Sequence, residues 1–378
     1  MRITHLCLAG TVSDGYSYQE NMLLKYHSKM GLDVSLITSM WQYGINYQLV
    51  ESDQKEYYYE GIHVIRLKIK NKNSIKNKFK RYVGVSEALS ILHPDILFIH
   101  GCQFLDMRKV ASYLNENQNV ITYVDNHADF SNSGTNIVSK YILHKMIWRH
   151  CLRMISPYVR KFYGVLPARV TFLKEVYGAS GDRCELLLMG GDDDYVIPAI
   201  NQRDNTRAKY SISDNDFLIV TGGKIDKAKR QTLLLMKAVK HFSRVKLIIF
   251  GPVDKELKEE VDAFVDGCQI RSLGWADAET SYGLFAAADL VVFPGRHSVY
   301  WEQVASLGIP MVVKWWEGTD HIDNGGNVAF LYNDSADEIK RALVQIVENK
   351  DVYERMCNRA QQCKESFLYS EIARKSIQ

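Results

Sequence analysis

The feature that most constrains the fold is an apolar run, residues 217–220 (FLIV), followed by a glycine pair and a helical pattern. Residues 231–239 (QTLLLMKAV) carry apolar side chains at helical spacing, and the order strand, glycine turn, helix begins a parallel βαβ unit. Open parallel sheets bind ligands beyond the carboxyl ends of their strands. The turn at Gly222 and Gly223 is therefore a candidate binding site.

Two lysines, Lys224 and Lys229, follow the glycine pair five residues apart. Lysine binds phosphate as a point charge, so this turn indicates a phosphate-containing ligand. The segment is neither a GxGxxG nor a GxxxxGK[ST] loop, which argues against nicotinamide dinucleotides and P-loop chemistry. The alternative is a turn whose lysines are simply solvated.

A second βαβ pattern supports the ligand hypothesis. Strand 290–293 (LVVF) precedes a Pro-Gly turn, a helix predicted from about Ser298, a glycine stop and strand 311–313. A helix N-terminus offers free N–H groups and a positive dipole end to an anion. Glu302, one turn further in, is placed to accept hydrogen bonds from ribose hydroxyls, or it is a solvated helix glutamate. The predicted donor residues at this N-terminus are His297, Ser298 and Val299.

At these residues the chain resembles the family 4 glycosyltransferases of GT-B fold. Their Gly-Arg-x-x-x-x-Lys turn is similar to Gly223, Lys224 and Lys229, and the end of their Glu-x7-Glu segment is similar to the residues from Glu302 to Pro310. The resemblance implies that Lys224 and Lys229 hold the donor diphosphate and that Glu302 holds the ribose. It extends over essentially the whole chain, and its C-terminal motifs are the more specific ones.

One position departs from that family pattern. Pro294 stands eight residues before Glu302, where the family has its first glutamate. The loop is shorter, so the contact with the donor sugar has no assigned residue. His297 is a candidate replacement, with a non-catalytic histidine at the start of the helix as the alternative.

The N-terminal half also begins with a βαβ pattern. A strand (2–9), a glycine-containing loop, a helix (18–30) and a strand (33–38) follow one another. By the resemblance, this loop faces the cleft between two domains. Gly15 is then a predicted donor contact and Gln19 and Glu20 are predicted acceptor contacts, although acidic first-turn residues also complement a helix dipole.

Two later predicted strands, 95–100 and 119–124, each run into a histidine. His127 follows the second strand and resembles the family's strand-end histidine, which implies a place near the donor phosphates and the reacting sugar. Asp129 is a predicted acceptor contact. His100 is expected to be a buried histidine of the core.

The length of 378 residues predicts two domains. Strands alternate with helices in both halves, so the fold class is α/β with two doubly wound, parallel-sheet, Rossmann-like domains facing a cleft, the GT-B architecture. We expect residues 1–195 to form the acceptor-binding domain and 196–354 the donor-binding domain. The resemblance implies that a helix at about 355–378 packs back on the first domain.

The seven cysteines are scattered without CxxC spacing, which predicts reduced thiols rather than a disulfide framework or a zinc site. The N-terminus has no leader pattern and no apolar run reaches 18 residues. We therefore expect a cytoplasmic protein. The acidic run 192–194 could hold a metal ion, but its place at a domain junction favours no metal role.

Two segments suggest contact with a membrane. Residues 68–81 (KIKNKNSIKNKFKR) carry seven basic residues and no acid, in a chain of net charge +3, and such a run docks on anionic lipid. Residues 141–155 are basic, apolar and aromatic, as interfacial helices are. The alternatives are a solvated loop and a core helix, and nucleic-acid motifs are absent from both.

The resemblance implies a retaining glycosyltransferase of bacterial cell-surface polysaccharide synthesis. It would move a sugar from a nucleotide diphosphate, UDP by preference, to a glycan or lipid-linked acceptor, with no cofactor and no metal, at the inner face of the membrane. One alternative is a sugar-nucleotide epimerase, which forms product from the donor alone. The other is a non-catalytic partner subunit, suggested by the missing first glutamate.

Overall fold

A computed structural model describes residues 1–44, 48–70, 79–133 and 136–378. The chain divides into two compact units. Unit 1 comprises residues 1–188 together with 372–378, and unit 2 comprises residues 189–371.

Unit 1 is built on an eight-stranded sheet of order β10-β9-β8-β7-β1-β2-β6-β5, which is parallel except for the edge pair β5–β6. A separate antiparallel pair joins β3 to β4. The central strands are buried along almost their whole length, as parallel strands covered on both faces must be. The strands are β1 Arg2–Cys7, β2 Asp33–Ser39, β3 Trp41–Tyr43, β4 Leu49–Glu51, β5 Glu56–Tyr59, β6 Ile62–Leu67, β7 Ile96–His100, β8 Ile121–Asn126, β9 Val159–Gly164 and β10 Cys184–Leu186.

The helices of unit 1 connect these strands and bury their apolar sides against the sheet. A long π-helical stretch, Val138–Trp148, lies between β8 and β9 and continues into an α-helix. The other helices are α1 Gln19–Lys29, α2 Val85–Leu92, α3 Met107–Glu116, α4 Arg149–Ile155 and α5 Pro167–Phe172, with a second π-helical turn at Leu173–Tyr177.

Unit 2 has a six-stranded, fully parallel sheet of order β13-β12-β11-β14-β15-β16. Its strands are β11 Phe217–Gly222, β12 Val245–Phe250, β13 Ile270–Ser272, β14 Leu290–Phe293, β15 Met311–Lys314 and β16 Val328–Leu331. The strand order reverses between β11 and β14, which is where a doubly wound sheet forms its ligand crevice. Its helices are α6 Asp193–Asn201, α7 Arg203–Lys209, α8 Gln231–Val239, α9 Lys258–Asp262, α10 Ala278–Ala287, α11 Tyr300–Leu307, α12 Ala336–Val347 and α13 Lys350–Cys363, and α14 Tyr369–Ser376 continues into unit 1.

The predicted fold class is confirmed: both units are α/β with parallel sheets. Helix α8 and strand β14 have their predicted bounds, whereas helix α11 begins at Tyr300, two residues after the predicted start. Unit 2 begins at Met189 rather than at residue 196, because Gly191 forms a backbone bridge with Leu368 of the same unit. The acceptor and donor roles of the two units remain predictions.

The C-terminal region is not the single helix expected at residues 355–378. Helix α13 belongs to unit 2, a short 3₁₀ turn at Lys364–Phe367 follows it, and only residues 372–378 belong to unit 1. Within unit 1 the backbone oxygens of Lys375 and Gln378 accept hydrogen bonds from the hydroxyls of Tyr163 and Tyr123, at 3.4 and 3.3 Å.

The acidic run 192–194 has a structural role at the start of α6. The Asp192 side chain accepts a hydrogen bond from the backbone N–H of Asp194, which is an N-cap. The carboxylate of Asp193 accepts from the N–H and the hydroxyl of Ser370. Both acids thus have partners that serve the fold.

Of the basic run 68–81, residues 71–78 lie outside the described residues. Within the described part, Lys80 is half-buried and donates to the backbone oxygen of Ala9, so this lysine is not a solvated surface charge. In the ranges that the structure describes, no helix has the length and apolar character needed to span a membrane.

Gly164 ends β9 directly against helix α5. A Cβ atom at this position would overlap the backbone nitrogen of Val170 and the backbone carbon of Arg169, neither of which can move without moving the helix. We predict that Gly164→Ala lowers the free energy of unfolding by about 1–3 kcal/mol, the usual effect of overpacking. Urea denaturation followed by circular dichroism measures it.

Gly283→Ala is the matched control, because Gly283 lies inside helix α10 and its Cβ would meet only Thr206 at an ordinary contact distance of 3.6 Å. Alanine should leave stability unchanged or raise it by about 0.5–1 kcal/mol. Equal urea midpoints for Gly164→Ala and the wild type would contradict the packing argument.

Candidate functional site

A small cleft opens in unit 2 at the carboxyl ends of β11 and β14, and we call it the cavity. It lies where the strand order of the sheet reverses. The predicted glycine–lysine turn forms one wall and the loop after β14 forms the other. Its lining residues are Thr221, Gly222, Gly223, Lys224, Ile225, Lys229, Thr232, Ile249, Phe293, Pro294, Gly295, Arg296 and Ser298.

The glycine pair fixes the backbone of the first wall. Gly223 has φ +116°, a conformation that side-chain-bearing residues rarely adopt, and its N–H donates to the Phe250 oxygen at 3.0 Å. A Cβ on Gly222 would run into the ring of Phe250. Glycine at both positions therefore lets the turn lie against β12 and leaves room for a ligand above it.

The two lysines differ in their surroundings. Lys224 is half exposed, and its Nζ lies 3.0 Å from Asp254 and 3.7 Å from Asp226, so hydrogen bonding and charge from Asp254 raise the pKa of Lys224. Lys229 is more sheltered between the two cavity walls, and its burial lowers its pKa despite the nearby charge of Asp226. An anionic ligand entering the cavity would meet both ammonium groups.

The second wall leads into helix α11. Ser298 lines the cavity, and its hydroxyl accepts from the N–H of Tyr300 at 3.3 Å, while Val299 is about half exposed beside it. Arg296, which the sequence analysis did not assign, also lines the cavity. The cavity is thus bordered by Lys224, Lys229 and Arg296, three cationic side chains.

Glu302 is fully buried rather than facing a ligand. Its Oε1 accepts from His297 Nε2 at 2.8 Å and from His321 Nε2 at 2.9 Å. Burial alone would raise the pKa of Glu302, but the two imidazoles outweigh it and hold this pKa well below its usual range. Oε2 has no partner among the described residues, so a ribose contact would require this oxygen to become accessible.

The cluster of His297, Glu302 and His321 has the ligand types of a two-histidine, one-carboxylate metal site. Its 2.8 and 2.9 Å contacts are hydrogen-bond distances. His321 Nδ1, buried, has no partner in the described part of the chain, whereas a metal-bound histidine almost always donates its other ring N–H to an orienting acceptor. In the geometry described, the carboxylate of Glu302 positions the two imidazoles.

In unit 1, the predicted residues of the first loop and of helix α1 each have a different neighbour. Gly15 has φ +76°, and its position lies near the Tyr59 hydroxyl. Gln19 is buried, with its Nε2 3.5 Å from the Leu188 oxygen and its Oε1 without a partner among the described residues. Glu20 is half-buried, and its carboxylate lies 3.9 Å from His127.

His127 follows β8 and lies against two carboxylates. Its Nε2 is 3.6 Å from Asp125 and 3.9 Å from Glu20. Burial by itself would lower the pKa of His127, but the charges of Asp125 and Glu20 raise it above its ordinary value. A partly exposed imidazole beside a fully buried carboxylate can hold or move a proton.

Asp129 has a structural role in its own turn. One carboxylate oxygen accepts from the N–H and the hydroxyl of Ser131 and from the N–H of Asn132, and the other accepts from Arg169 at 3.2 Å. This side chain is buried, so its contact with an acceptor remains a prediction that the present geometry does not favour.

Sequence reasoning missed Asp125, Arg296 and His321. Asp125 could have been noticed as an acid at the end of an apolar strand, directly before Asn126 and His127. His321 lies 19 residues from Glu302 in a loop without a motif, and no sequence signal joins the two.

Comparison with known proteins agrees with this geometry. Residues 202–363 match the family described as glycosyl transferases group 1, a range that contains the cavity and both lysines. A search of curated proteins finds no match.

Solved structures cover almost the whole chain. A glycosyltransferase from Rickettsia africae has a TM-score of 0.69 and 15% identity, over 99% of this chain and 96% of that protein. Anabaena HepE in complex with UDP has a TM-score of 0.67 and 15% identity, over 99% and 98%. A Neisseria meningitidis UDP-GlcNAc 2-epimerase bound to UDP-GlcNAc has a TM-score of 0.62 and 11% identity, over 99% and 98%.

The fold is therefore that of the GT-B glycosyltransferases, and within unit 2 residues 202–363 match the model of the group 1 glycosyltransferases. These findings confirm the prediction of a glycosyltransferase. Membership in family 4 remains a prediction, as do the roles of the individual site residues.

The buried Glu302 generates a pH prediction. Glu302→Gln removes the charge that two imidazoles face, and at pH 7 it should lower the free energy of unfolding by about 1.5–3 kcal/mol, the usual contribution of hydrogen bonds to a charged group. Because folding depresses the pKa of Glu302, its contribution is complete above the unfolded value of about 4.3 and declines as pH falls below it.

Urea titrations of the wild type and of Glu302→Gln from pH 7 to pH 3 measure the difference between their free energies of unfolding. It should be constant down to about pH 4.3 and shrink below. Glu256→Gln, at an exposed glutamate, is the control and should change little. A Glu302→Gln protein as stable as the wild type at pH 7 would show that the cluster is not a charged one.

Proposed function

We propose that the protein is a retaining glycosyltransferase that moves a sugar from a nucleotide diphosphate, UDP by preference, to a glycan or lipid-linked acceptor. We place it in family 4 and in bacterial cell-surface polysaccharide synthesis. The observation that carries the donor assignment is the cationic cavity of unit 2, at the sheet edge where doubly wound folds bind nucleotides.

Within this proposal, Lys224 and Lys229 stabilise the charge that develops on the departing diphosphate. Such electrostatic stabilisation is usually the largest single contribution to catalysis. The N–H groups near Ser298 and Val299 add the positive end of helix α11. The half exposure of Lys224 suits a phosphate ligand, because an exposed ammonium can leave its aspartate partners when a stronger anion arrives.

His297 and Glu302 take a joint role in the proposed donor site. Glu302 fixes the orientation of the His297 ring, which lies next to Arg296 and Ser298 of the cavity wall. His297 then replaces the family's first glutamate, whose position in the pattern is occupied by Pro294, and it would contact the donor sugar. A ribose contact by Glu302 itself depends on its unpartnered Oε2.

We assign the acceptor to unit 1, with Gln19 and Glu20 as contacts and Gly15 as a backbone contact to the donor. His127 would orient the reacting centre, since its imidazole is partly exposed and is held by Asp125 and Glu20. We also propose that transfer needs no metal ion, because lysines and a helix N-terminus supply the positive charge.

Lysine variants test the donor site. Lys224→Met and Lys229→Met should each lower turnover by about 10²-fold or more and weaken UDP binding, because each removes a cation from the diphosphate site. Isothermal titration with UDP and a transfer assay in excess chelator measure the two effects. Lys227→Met is the control, since its ammonium is exposed and pairs with Glu256 outside the cavity.

Three outcomes separate the candidate functions. Sugar transfer that persists in chelator and fails in both cavity variants supports the proposal. Conversion of a UDP-sugar without acceptor indicates an epimerase, a reaction that one of the structural neighbours carries out. UDP binding with no turnover of any nucleotide sugar indicates a non-catalytic partner subunit.

A lipid-linked acceptor implies contact with the membrane surface, and an apolar face of unit 1 supports such a contact. The face consists of Ile137, Tyr141, Ile142 and Met146, which are between 48% and 77% exposed. Their spacing of four or five residues places them on one side of the π-helical stretch. Lys145 lies over the Tyr141 ring at 4.9 Å, so basic charge borders the apolar patch, as at interfacial helices.

Vesicle sedimentation tests this surface. Serine at Ile137, Ile142 and Met146 should release the protein from vesicles of phosphatidylglycerol and phosphatidylcholine, because the apolar anchor is lost. A second triple variant, with serine at Tyr58, Val83 and Ile91, changes equally exposed apolar residues elsewhere and should still bind. Equal binding of the two variants would exclude the face as the membrane contact.

A further inference from the structure

Three buried histidines of unit 1 form a continuous hydrogen-bonded chain. His5 Nε2 lies 3.0 Å from His27 Nδ1, and His5 Nδ1 lies 2.9 Å from His100 Nε2. All three are 2% exposed or less. They come from β1, helix α1 and β7, and the Phe98 ring packs against them, so bulk water has no access to the chain.

The two ends of this chain, which we call the histidine relay, have different chemistry. At one end His100 Nδ1 lies 2.6 Å from the buried carboxylate of Asp125, which can only accept. At the other end His27 Nε2 lies 3.1 Å from the Ala373 oxygen, which can only accept, and 3.0 Å from the Ser376 hydroxyl, which can accept or donate.

Counting hydrogens along the relay gives two arrangements. If Ser376 donates to His27 Nε2, each ring carries one hydrogen on Nδ1 and donates towards Asp125, and all three imidazoles are neutral. If His27 instead donates to Ala373, all four contacts need a hydrogen from the rings. Three neutral imidazoles supply only three, so this arrangement holds one extra proton.

We propose that the histidine relay carries this extra proton between the C-terminal segment and Asp125, and thereby sets the proton affinity of His127. Solvent supplies this proton at His27 Nε2 when residues 372–378 open locally, and its arrival pushes the Nδ1 hydrogen of His27 to His5 and that of His5 to His100. His27 and His5 each gain one N–H and lose another, whereas His100 gains a second N–H and keeps its first, so the positive charge arises on His100. The functional part of this proposal rests on the proposed role of His127.

Asp125 connects the relay to His127. The carboxylate lies between His100 at 2.6 Å and His127 at 3.6 Å. When His100 is neutral, Asp125 has an uncompensated charge that favours protonated His127. When His100 is charged, it neutralises Asp125, and His127 releases its proton at lower pH. His100 is therefore a positioning residue that acts on His127 through Asp125.

The surroundings of the relay agree with this distribution of charge. Burial lowers the pKa of His5 far below its ordinary value and that of His27 to about 4, so neither ring holds the charge itself. Burial would raise the pKa of Asp125, but the adjacent histidines depress it, so the acid stays ionised. The other titratable groups that face the relay's acidic end are Cys7, Glu20 and, towards His127, Arg169.

Ser376→Ala tests the relay at its far end. Alanine removes the Ser376 hydroxyl that can donate to His27, so the carbonyl of Ala373 favours the arrangement with the extra proton. We expect the pKa of His127, followed by NMR with ¹⁵N-labelled histidine, to fall by about one unit, the size of effect that a neighbouring charge has. The pH profile of turnover should shift in the same direction.

Ser366→Ala is the matched control. The Ser366 hydroxyl donates to the oxygen of Cys363 three residues earlier, the same bond that Ser376 makes to Ala373 when it does not donate to His27, but Ser366 contacts no histidine among the described residues. Ser366→Ala should leave the pKa of His127 unchanged. An unchanged pKa of His127 in Ser376→Ala would overturn the proposal.

A second measurement uses the wild-type protein. The ¹⁵N shifts of His5, His27 and His100 distinguish the Nδ1–H and Nε2–H forms, and all three rings should change form over the same pH range. Rings that change independently would contradict the relay. Neither NMR readout needs turnover, so an inactive protein with coupled rings would refute the transferase role of His127 and leave the relay intact.

Discussion

Each unit depends on a carboxylate that is buried and ionised between two imidazoles. In unit 1 it is Asp125, between His100 and His127, and in unit 2 it is Glu302, between its two histidines. An unpaired charge at either position would cost several kcal/mol. The imidazoles must therefore keep fixed orientations, and so must the backbone segments that carry them.

Unit 2 also contains a cationic cavity, which the glycine turn and two lysines shape. The glycine turn brings the backbone close to β12, Lys229 is held between the two walls, and Lys224 stays half exposed beside two aspartates. In the proposed donor site, a more highly charged anion would replace these aspartates at Lys224. A diphosphate is such an anion, and this exchange favours it over a neutral ligand.

From the sequence we could predict those parts of the fold and of the site that depend on residues close together in the chain. Strand β14 and the glycine–lysine turn follow from an apolar run and its stop signals, and the parallel sheets follow from the alternation of such patterns. The clusters of histidines and carboxylates could not be predicted from the sequence, because they join residues that are far apart in the chain. His5 meets His100 only through the pairing of β1 with β7, and no local pattern encodes that pairing.

The contribution of α14 to unit 1 has a consequence for the order of synthesis. The ribosome makes the strands of the first sheet early, but residues 372–378, which supply the acceptors for His27, emerge only after all of unit 2. Until then a buried ring nitrogen lacks its partner, which is costly in an apolar interior. The first unit therefore stays incompletely closed during synthesis until residues 372–378 have emerged, whereas the second unit can already fold.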